Sequence, residues 1–241
     1  RRALGESAHQ RGIAVLLDLV PNHVYEENPL FLEHGEDGWF HEAGCVCGSE
    51  SCPWSEHIRE CWFTPYLPDV RWQHEPTLAH AAAEARFWLE QYDVDGFRID
   101  AVPMMQRAAT RRIAHELRSS TAPAKATFLI GEVFTGPGQG GLEEIGRYLG
   151  PATLDSAFDF PLMWSLRAAI ATGVGGFDGV DSILNAGDAR FDGSGASMAH
   201  MLDNHDVARF VSAANGDEGG DPWAAPPAQP RCRPLQRQLR F

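Results

Sequence analysis

The chain has 241 residues, 44% of them hydrophobic, and a formal net charge of −13 at pH 7. This charge would repel the phosphates of nucleic acids and of an anionic membrane surface, so it argues against both as partners and favours a neutral or polar substrate. No run approaches the roughly 20 apolar residues that cross a bilayer. The first residues lack a basic and apolar secretion signal, so the compartment stays undetermined.

Short apolar runs indicate four β-strands, at residues 13–17, 94–99, 127–130 and 198–202. The first run is apolar without alternation, which predicts a strand covered on both faces, as in parallel sheets. Ahead of the second run, apolar residues recur at three- and four-residue steps from Leu78 to Tyr92, and Pro76 suits the first turn of a helix there. Another helical stretch separates the second run from the third. Strands that alternate with helices predict an α/β fold with right-handed crossovers.

An acidic residue lies at or just beyond the carboxyl end of each run: Asp18, Asp100, Glu132 and Asp206. In a parallel (β/α)8 barrel, side chains at these strand ends converge on one cleft although they are far apart in sequence. An open doubly wound sheet is the alternative. The glycine-rich segment 136–141 lacks the lysine and the helix-opening context of a phosphate-binding loop, so we expect it to be a flexible loop.

Four segments in series carry a family resemblance. They are 18–23 (Asp-Leu-Val-Pro-Asn-His), 96–100 (Gly-Phe-Arg-Ile-Asp), 131–133 (Gly-Glu-Val) and 202–206 (Leu-Asp-Asn-His-Asp). Their order resembles the α-amylase family of glycoside hydrolases, also called glycoside hydrolase family thirteen. The resemblance implies a (β/α)8 barrel and places the first strand here at the third strand of that barrel and the last at the seventh.

The resemblance also implies a domain organisation. Residues 1–23 and 70–220 would form an incomplete barrel of strands three to seven, and residues 1–11 would end its second helix. Residues 24–69 would be a small inserted domain. Residues 221–241 are rich in Pro, Arg and Gln and show no strand or helix period, so we expect an irregular tail. With unpaired edges at both ends of the sheet, the chain alone is expected to be inactive.

The resemblance implies a retaining hydrolysis of α-linked glucans or oligosaccharides. Such chemistry uses two carboxyl groups about 5 to 5.5 Å apart, one as nucleophile and one as acid and then base. Asp100 would be the nucleophile, and Arg98, two residues earlier on the same strand face, would keep it ionised. Glu132 would be the acid and base, a role that favours a partly desolvated site. Asp206 would stabilise the oxocarbenium-like charge.

Further residues of these segments would support the substrate. His23 and His205 would donate hydrogen bonds to sugar hydroxyls, and Asn204 would shape the turn after its strand. Asp18 would support the site by hydrogen bonding, although an aspartate at a strand end is often only a cap or turn residue. An interior histidine with a satisfied hydrogen bond is the alternative for His23. Four tryptophans are candidate sugar-stacking platforms, although packing is the favoured role for each: Trp39, Trp54, Trp62 and Trp72.

One departure leaves the substrate open. Residues 101–104 read Ala-Val-Pro-Met, where starch-cleaving α-amylases commonly carry Lys and His at the last two positions. The string instead resembles the trehalose synthase branch and branches that act on sucrose or oligosaccharides. A transferase or isomerase is therefore one alternative, and a non-catalytic barrel that serves as a scaffold for partners is another. The presence of all three acids favours an enzyme.

Two groups of residues could hold metals. Asn22 and Asp69 resemble the oxygen ligands of a family calcium ion, with a merely hydrogen-bonded pair as the alternative. No organic cofactor is expected. Cys45, Cys47, Cys52 and Cys61 crowd into the predicted insert, whereas Cys232 lies in the tail. The four could form two disulfides, bind zinc or stay free, and their clustering favours a secreted or periplasmic protein.

Overall fold

A computed structural model describes residues 2–120, 127–192 and 196–216 of the chain. Over these ranges helices alternate with short strands. The strands are β1 Leu16–Leu19, β2 Gly96–Ile99, β3 Phe128–Gly131, β4 Ser156–Phe158 and β5 Ser197–Ala199. The α-helices are α1 Arg2–His9, α2 Pro29–His34, α3 Trp54–His57, α4 Glu75–Tyr92, α5 Arg107–Ser120, α6 Gln139–Gly146, α7 Phe160–Leu166, α8 Phe177–Phe191 and α9 Phe210–Asn215. A 3-10 turn spans Val102–Met104, and a π-helical turn, Arg167–Thr172, continues α7.

The five strands form one sheet in the order β1-β2-β3-β4-β5. The pairs β1/β2, β2/β3 and β3/β4 are parallel, and the register places Asp18 opposite Arg98 and Ile99 opposite Gly131. Parallel strands in chain order with helices in the connections are the pattern of a (β/α) barrel, here with five strands. The predicted α/β architecture and incomplete barrel are therefore confirmed.

Strand β1 differs from its prediction. Leu16 is 39% exposed, and Ile13, just before the strand, is 56% exposed. The expectation that both faces of this strand are covered is therefore wrong, and in the described part of the chain β1 also lies at the edge of the sheet with β2 as its strand neighbour. The residues that lead into β1 are held by Asp95. Its Oδ2 accepts a 2.6 Å hydrogen bond from the Val15 N–H and lies 2.9 Å from His9 Nε2.

The apolar periodicity from Leu78 to Tyr92 predicts a helix, and α4 confirms this prediction. Pro76 lies in its first turn, where a missing N–H leaves no intrahelical bond unmade. Ala82, Ala85 and Leu89 are buried, while the predicted apolar residues between them are partly exposed. The helix ends at Tyr92, and the capping residue Asp93 adopts a left-handed conformation with φ 53° that turns the chain toward β2. Helix α5 is the predicted helical stretch between β2 and β3.

The glycines of segment 136–141 predict a flexible loop, but only the first part of the segment is one. Helix α6 begins at Gln139, after Gly138 with φ +82°. Gly141 lies in its first turn and packs tightly, because a Cβ there would lie 2.4 Å from the Gly136 carbonyl oxygen and 2.8 Å from Pro161 Cγ. The glycines therefore serve close packing as well as turning.

The chain divides into two compact units. The first contains the residues up to Phe134 together with Tyr148–Ala157, and the second contains Thr135–Arg147 and the residues from Phe158 onward. Residues 24–69 belong to the first unit, and their separation as an inserted domain stays a prediction. The predicted tail and Cys232 lie outside the described residues. In the part of the chain that the structure describes, no helix is long and apolar enough to cross a membrane.

Candidate active site

Adjacent strands of the first unit deliver Asp100 and Glu132 side by side. Each acid directly follows its strand, and the parallel register pairs Ile99 with Gly131. The ladder continues past the strand ends, because the Asp100 N–H donates to the Leu19 carbonyl at 2.9 Å and the Glu132 N–H donates to the Ile99 carbonyl at 2.9 Å. Backbone hydrogen bonds thus hold the two carboxyl groups in neighbouring positions at the carboxyl edge of the sheet.

Arg98 links three carboxylates at this edge. Its Nη1 lies 2.8 Å from Asp18 Oδ1 and 2.6 Å from Asp100 Oδ1, and its Nη2 lies 2.5 Å from Glu132 Oε2. The Arg98, Asp100 and Glu132 side chains are 15%, 17% and 8% exposed, whereas that of Asp18 is 59% exposed. The planar guanidinium fork suits such multiple contacts, which an ammonium group could not reproduce.

The charge of Arg98 is secured by these partners. Burial alone lowers the pKa of the guanidinium, but the hydrogen bond to Asp18 and the negative charges of Glu132, Asp100 and Asp18 outweigh burial and raise the pKa above its usual value. A permanent cation therefore lies among the acids. Such a cation limits the mutual repulsion of the neighbouring carboxylates.

The turn after Asp100 is backbone-strained. Ala101 has φ 47° and ψ 40°, in the left-handed region that non-glycine residues rarely occupy. This conformation directs the Ala101 N–H toward Glu132 Oε2 at 3.4 Å, and the next N–H, of Val102, donates to the Glu132 carbonyl at 3.1 Å. The strained residue thus ties the loop that carries one acid to the residue that carries the other.

His23 lies on the same side of the first unit. Its backbone bridges to Asp69, and its ring stacks on Phe63 with centroids 5.7 Å apart and an interplanar angle of 11°. Burial lowers the pKa of His23, and the negative charge of Asp100 partly offsets that effect. A neutral imidazole close to Asp100 can donate to or accept from a sugar hydroxyl. Phe63, 38% exposed, is an aromatic residue next to His23 that the sequence did not indicate.

Asn22 and Asp69 form a fully buried pair. Asn22 Nδ2 donates to Asp69 Oδ1 at 3.0 Å. Their other oxygens, Asn22 Oδ1 and Asp69 Oδ2, are buried without a hydrogen-bond partner among the described residues, and His41 Nε2, 3.9 Å from Asp69 Oδ2, is in the same condition. Burial raises the pKa of Asp69 to about 8, against the lowering effect of the hydrogen bond from Asn22.

The last predicted motif lies in the second unit. Asn204 Nδ2 donates to Asp206 Oδ2 at 3.1 Å, and Asn204 Oδ1 accepts from the Asp206 N–H at 3.0 Å. His205 Nε2 lies 3.4 Å from Asp206 Oδ1, and the His205 and Asp206 side chains are 68% and 42% exposed. Asp203 caps the start of α9 by accepting from the Phe210 N–H at 2.6 Å. The convergence of Asp206 with Asp100 and Glu132 stays a prediction.

The structure also contains a strand-end acid that the sequence did not single out. Asp159 follows β4, is buried, and accepts a 3.0 Å hydrogen bond from the Leu162 N–H as the cap of α7. Burial raises its pKa, and its Oδ2 lies 3.5 Å from His200 Nε2. Its position after a strand was the available signal, but Ser156–Phe158 is too short to read as an apolar run. Asp159 serves as a helix cap.

The four tryptophans predicted as sugar platforms differ in burial. Trp62 and Trp72 are buried and belong to the core. The Trp39 ring stacks on the His34 ring with centroids 4.2 Å apart, and Trp54 is 42% exposed.

The Sγ atoms of Cys45, Cys52 and Cys61 lie within 4.8 Å of one another. Cys47 lies beside them with its thiol directed at the carbonyl oxygens of His57 and Cys61.

Comparison with known proteins identifies the family. The family model described as alpha amylase, catalytic domain, matches residues 1–221. The chain belongs to the α-amylase family. Similar curated α-amylase relatives include neopullulanase 2 of Thermoactinomyces vulgaris, 26% identical over 226 residues, and an alpha-amylase of Niallia circulans, 26% identical over 224 residues. The matches cover 90% and 87% of this chain but only 36% and 41% of those relatives.

Solved structures show the same fold. The α-amylase of Geobacillus thermoleovorans, complexed with acarbose, matches with a TM-score of 0.74 and 24% identity over 91% of this chain and 46% of that chain. The cyclic α-maltosyl-(1→6)-maltose hydrolase of Arthrobacter globiformis, complexed with maltose, matches with a TM-score of 0.68 and 21% identity over 90% and 47%. The chain thus spans under half of each α-amylase-family barrel protein that it matches here.

Proposed function

We propose that the protein that contains this chain is a retaining α-glycoside hydrolase acting on α-glucans or α-linked oligosaccharides. The observation that carries the proposal is the pair Asp100 and Glu132 on adjacent strand ends, both contacted by Arg98. Two neighbouring carboxyl groups are what retaining glycoside chemistry requires. Membership of the α-amylase family supports this assignment.

In the proposed reaction, the Asp100 carboxylate attacks the anomeric carbon while Glu132 transfers its proton to the departing glycosidic oxygen. The bond between anomeric carbon and leaving oxygen breaks, and a covalent glycosyl ester forms on Asp100. Glu132, now ionised, then takes a proton from water, which attacks the anomeric carbon and releases Asp100. Two inversions restore the original configuration.

Arg98 would stabilise both changes of charge. Asp100 begins as an anion and becomes a neutral ester, and Glu132 becomes an anion as Asp100 loses its charge. Because one guanidinium contacts both groups, the positive charge stays close to whichever carboxylate is ionised. Placement of a fixed charge where negative charge develops needs little reorganisation during the reaction.

The remaining motif residues would bind the sugar. His23, next to Phe63, would donate to a hydroxyl while the aromatic ring packs against an apolar sugar face. Asp206 would stabilise the oxocarbenium-like charge, His205 would donate a hydrogen bond to a sugar hydroxyl, and Asn204 would shape the turn that carries them. These three roles come from the motif, and they are proposed on the resemblance of residues 202–206.

A transfer reaction is the second candidate function. Relatives of similar identity include cyclomaltodextrin glucanotransferase of Thermoanaerobacterium thermosulfurigenes as well as hydrolases. Where starch-cleaving α-amylases carry the Lys and His that would contact the leaving-side sugar, this chain carries Pro103 and Met104. Met104 Sδ lies 3.9 Å from Asn22 Nδ2, and the Pro103 carbonyl accepts from Arg59 Nε at 3.4 Å. An altered acceptor site of this kind favours a different leaving or accepting sugar.

Calcium fits one pair of residues. We propose that Asn22 Oδ1 and Asp69 Oδ2, the two buried oxygens without a described hydrogen-bond partner, would bind it, because uncompensated hard oxygens are the donors that this ion prefers. The two provide only part of the roughly six to eight oxygens that calcium takes. The ion would supply positive charge to a buried carboxylate and thus order the segment next to His23.

Product analysis tests the proposal. The protein that contains this chain would be incubated with starch, maltose, sucrose and trehalose, and the products would be identified by chromatography. Release of reducing sugar from α-linked glucans supports hydrolysis, and new linkages without net reducing ends support transfer. No turnover of any α-linked substrate by a folded protein would favour the non-catalytic scaffold.

A further inference from the structure

Three thiols from separate turns meet in the segment before the active-site residues Phe63 and Asp69. The Sγ atoms of Cys45, Cys52 and Cys61 lie within 4.8 Å of one another. Cys52 and Cys61 are buried, at 6% and 1% exposure, and Cys45 is half-buried. The first unit therefore encloses a compact group of three sulfurs.

The backbone holds the thiols together. The Trp62 N–H donates to the Cys45 carbonyl at 2.9 Å, and the Cys47 N–H donates to the Trp62 carbonyl at 2.8 Å, so the segments of Cys45 and Cys61 lie side by side. The Gly48 N–H donates to the Cys52 carbonyl at 2.9 Å, which folds Cys52 back over the same place. The convergence follows from paired hydrogen bonds and does not rest on one side-chain rotamer.

Disulfide chemistry does not satisfy this arrangement. The Cys45 sulfur lies within bonding distance of both the Cys52 and the Cys61 sulfur, yet a sulfur can form only one disulfide bond. A bond to either partner would leave the other thiol buried beside it. One metal ion can bind all three at once, since zinc takes thiolates in tetrahedral sites with zinc–sulfur bonds of about 2.3 Å.

Cys47 borders the same group. Its thiol lies 3.5 Å from the Cys61 carbonyl oxygen and 4.0 Å from the His57 carbonyl oxygen. Cys45 and Cys47 flank Val46, which bridges to Trp62. Cys47 is therefore the described cysteine next to the three-sulfur group and the candidate for a fourth ligand.

We propose that Cys45, Cys52 and Cys61, with Cys47 as the fourth ligand, bind one zinc ion as thiolates in a closed structural site. Zinc prefers tetrahedral thiolate coordination and imposes no redox requirement. The ion would cross-link three turns of a segment with a small core. Four thiolates would also exclude water, so the site has no open position for catalysis.

The zinc site would order one wall of the proposed active site. Cys61 is followed by Trp62, whose Nε1 donates to the His41 carbonyl at 2.8 Å, and then by Phe63, which stacks on His23. The His41 N–H in turn donates to the Asp69 carbonyl at 2.9 Å. This consequence for sugar binding rests on the proposed function, whereas zinc binding itself does not.

Metal and thiol counts on the protein that contains this chain test the proposal without any variant. The protein would be purified without added reductant, zinc measured by mass spectrometry, and thiols alkylated after denaturation in chelator. We expect one tightly bound zinc ion for each chain and alkylation of all four cysteines. A disulfide-linked peptide joining Cys45 to Cys52 or Cys61, in protein without zinc, would overturn the proposal.

Substitutions then assign the ligands. Cys45→Ser, Cys52→Ser and Cys61→Ser should each abolish stoichiometric zinc, while Cys232→Ser, the same change in residues 221–241, should leave it unchanged. Cobalt substitution reports the number of thiolates through its absorption bands, which should change in Cys47→Ser. Full zinc content in any of the first three variants, or an unchanged cobalt spectrum in Cys47→Ser, contradicts the assignment.

Hydrogen exchange separates local ordering from global unfolding. Removal of zinc by chelator should accelerate exchange of the Cys47 and Trp62 amides, which are hydrogen-bonded in the structure, and leave the amides of α4 and α5 protected. This readout is independent of glycoside activity, so failure of the proposed function would leave it intact. Unchanged exchange at Cys47 and Trp62 after zinc loss would contradict a structural role.

Discussion

Arg98 Nη2 lies 2.5 Å from Glu132 Oε2, so the arginine that contacts the proposed nucleophile also contacts the proposed acid. The contact crosses from β2 to β3 and depends on their register, which places Arg98 opposite Ile130 and Glu132 two residues farther on. One side chain therefore couples the charges of the two reacting groups. Its loss should affect both half-reactions.

Arg98→Lys keeps the positive charge but loses the fork that reaches three carboxylates. We expect kcat/KM to fall by about 10²- to 10³-fold, the usual cost of removing a preorganised donor from an active site. Arg86→Lys is a matched control, because Arg86 pairs with Glu116 at 2.6 Å between two helices away from the acids. Steady-state kinetics on both variants checks the expectation. Equal, small losses would show that the fork is dispensable.

Asp100→Asn should remove nearly all turnover, because an amide cannot form the glycosyl ester. We expect a loss on the order of 10⁴-fold or more, as for other covalent nucleophiles. The fold should persist, since asparagine retains an oxygen acceptor for Arg98, and circular dichroism with thermal melting checks this. Asp18→Asn alters the exposed partner of the same arginine and should cost far less. A larger effect at Asp18 would reverse the assigned roles.

Glu132→Gln distinguishes a proton donor from a positioning group. With ordinary glucosides the first step needs a proton and should be severely slowed, whereas an aryl or fluoride leaving group departs without one. Pre-steady-state measurement of the first step with both substrate classes checks the difference. Glu116→Gln controls for a lost surface carboxylate. A similar loss with both substrate classes would assign Glu132 to positioning.

Asp69 gives a pH dependence whose sign follows from its burial. Its folded pKa is raised from 3.8 to about 8, so between those values the folded state holds a proton that the unfolded chain has released. In chelator, the free energy of unfolding should therefore fall as pH rises from about 4 to about 8, at up to about 1.4 kcal/mol for each pH unit, and level off above.

Asp69→Asn removes this titration while retaining an oxygen that can accept from Asn22. The decline should disappear in the variant, although His41 and Cys47, which face Asp69, remain. Calcium should stabilise the wild type most above pH 8, where Asp69 is ionised, and have little effect on the variant. Thermal melting across pH, with calcium or chelator, measures both. Parallel profiles for the two proteins would contradict an uncompensated carboxylate at this position.

The sequence located the acids better than the strands that carry them. A run of apolar residues at 13–17 predicted β1, which spans Leu16–Leu19, because strand limits depend on hydrogen bonds to β2 that the run does not contain. The strand β5 is similarly displaced, from 198–202 to Ser197–Ala199. The acids were found because each lies in a motif, and a motif keeps its spacing when a strand boundary shifts.

Other features required three-dimensional contacts. Strand β4 has three residues, Ser156–Phe158, and no apolar run to announce it. The stacking of Phe63 on His23 joins residues forty positions apart, and no local pattern indicates that pair. The cysteine spacing allowed two disulfides, which it favoured, or zinc, and the choice between them depends on which sulfurs meet. These three features depend on contacts between residues far apart in sequence, which periodicity does not reveal.

The stereochemistry of the first product tests the central claim most directly. Proton NMR would follow the anomeric signals during early hydrolysis of an α-linked substrate by the protein that contains this chain, before mutarotation equilibrates them. Because Asp100 and Glu132 are neighbours and Asp100 is proposed to form a covalent ester, the account requires the α-anomer to appear first. Initial release of the β-anomer would contradict it, since a single inversion needs water rather than Asp100 at the anomeric carbon.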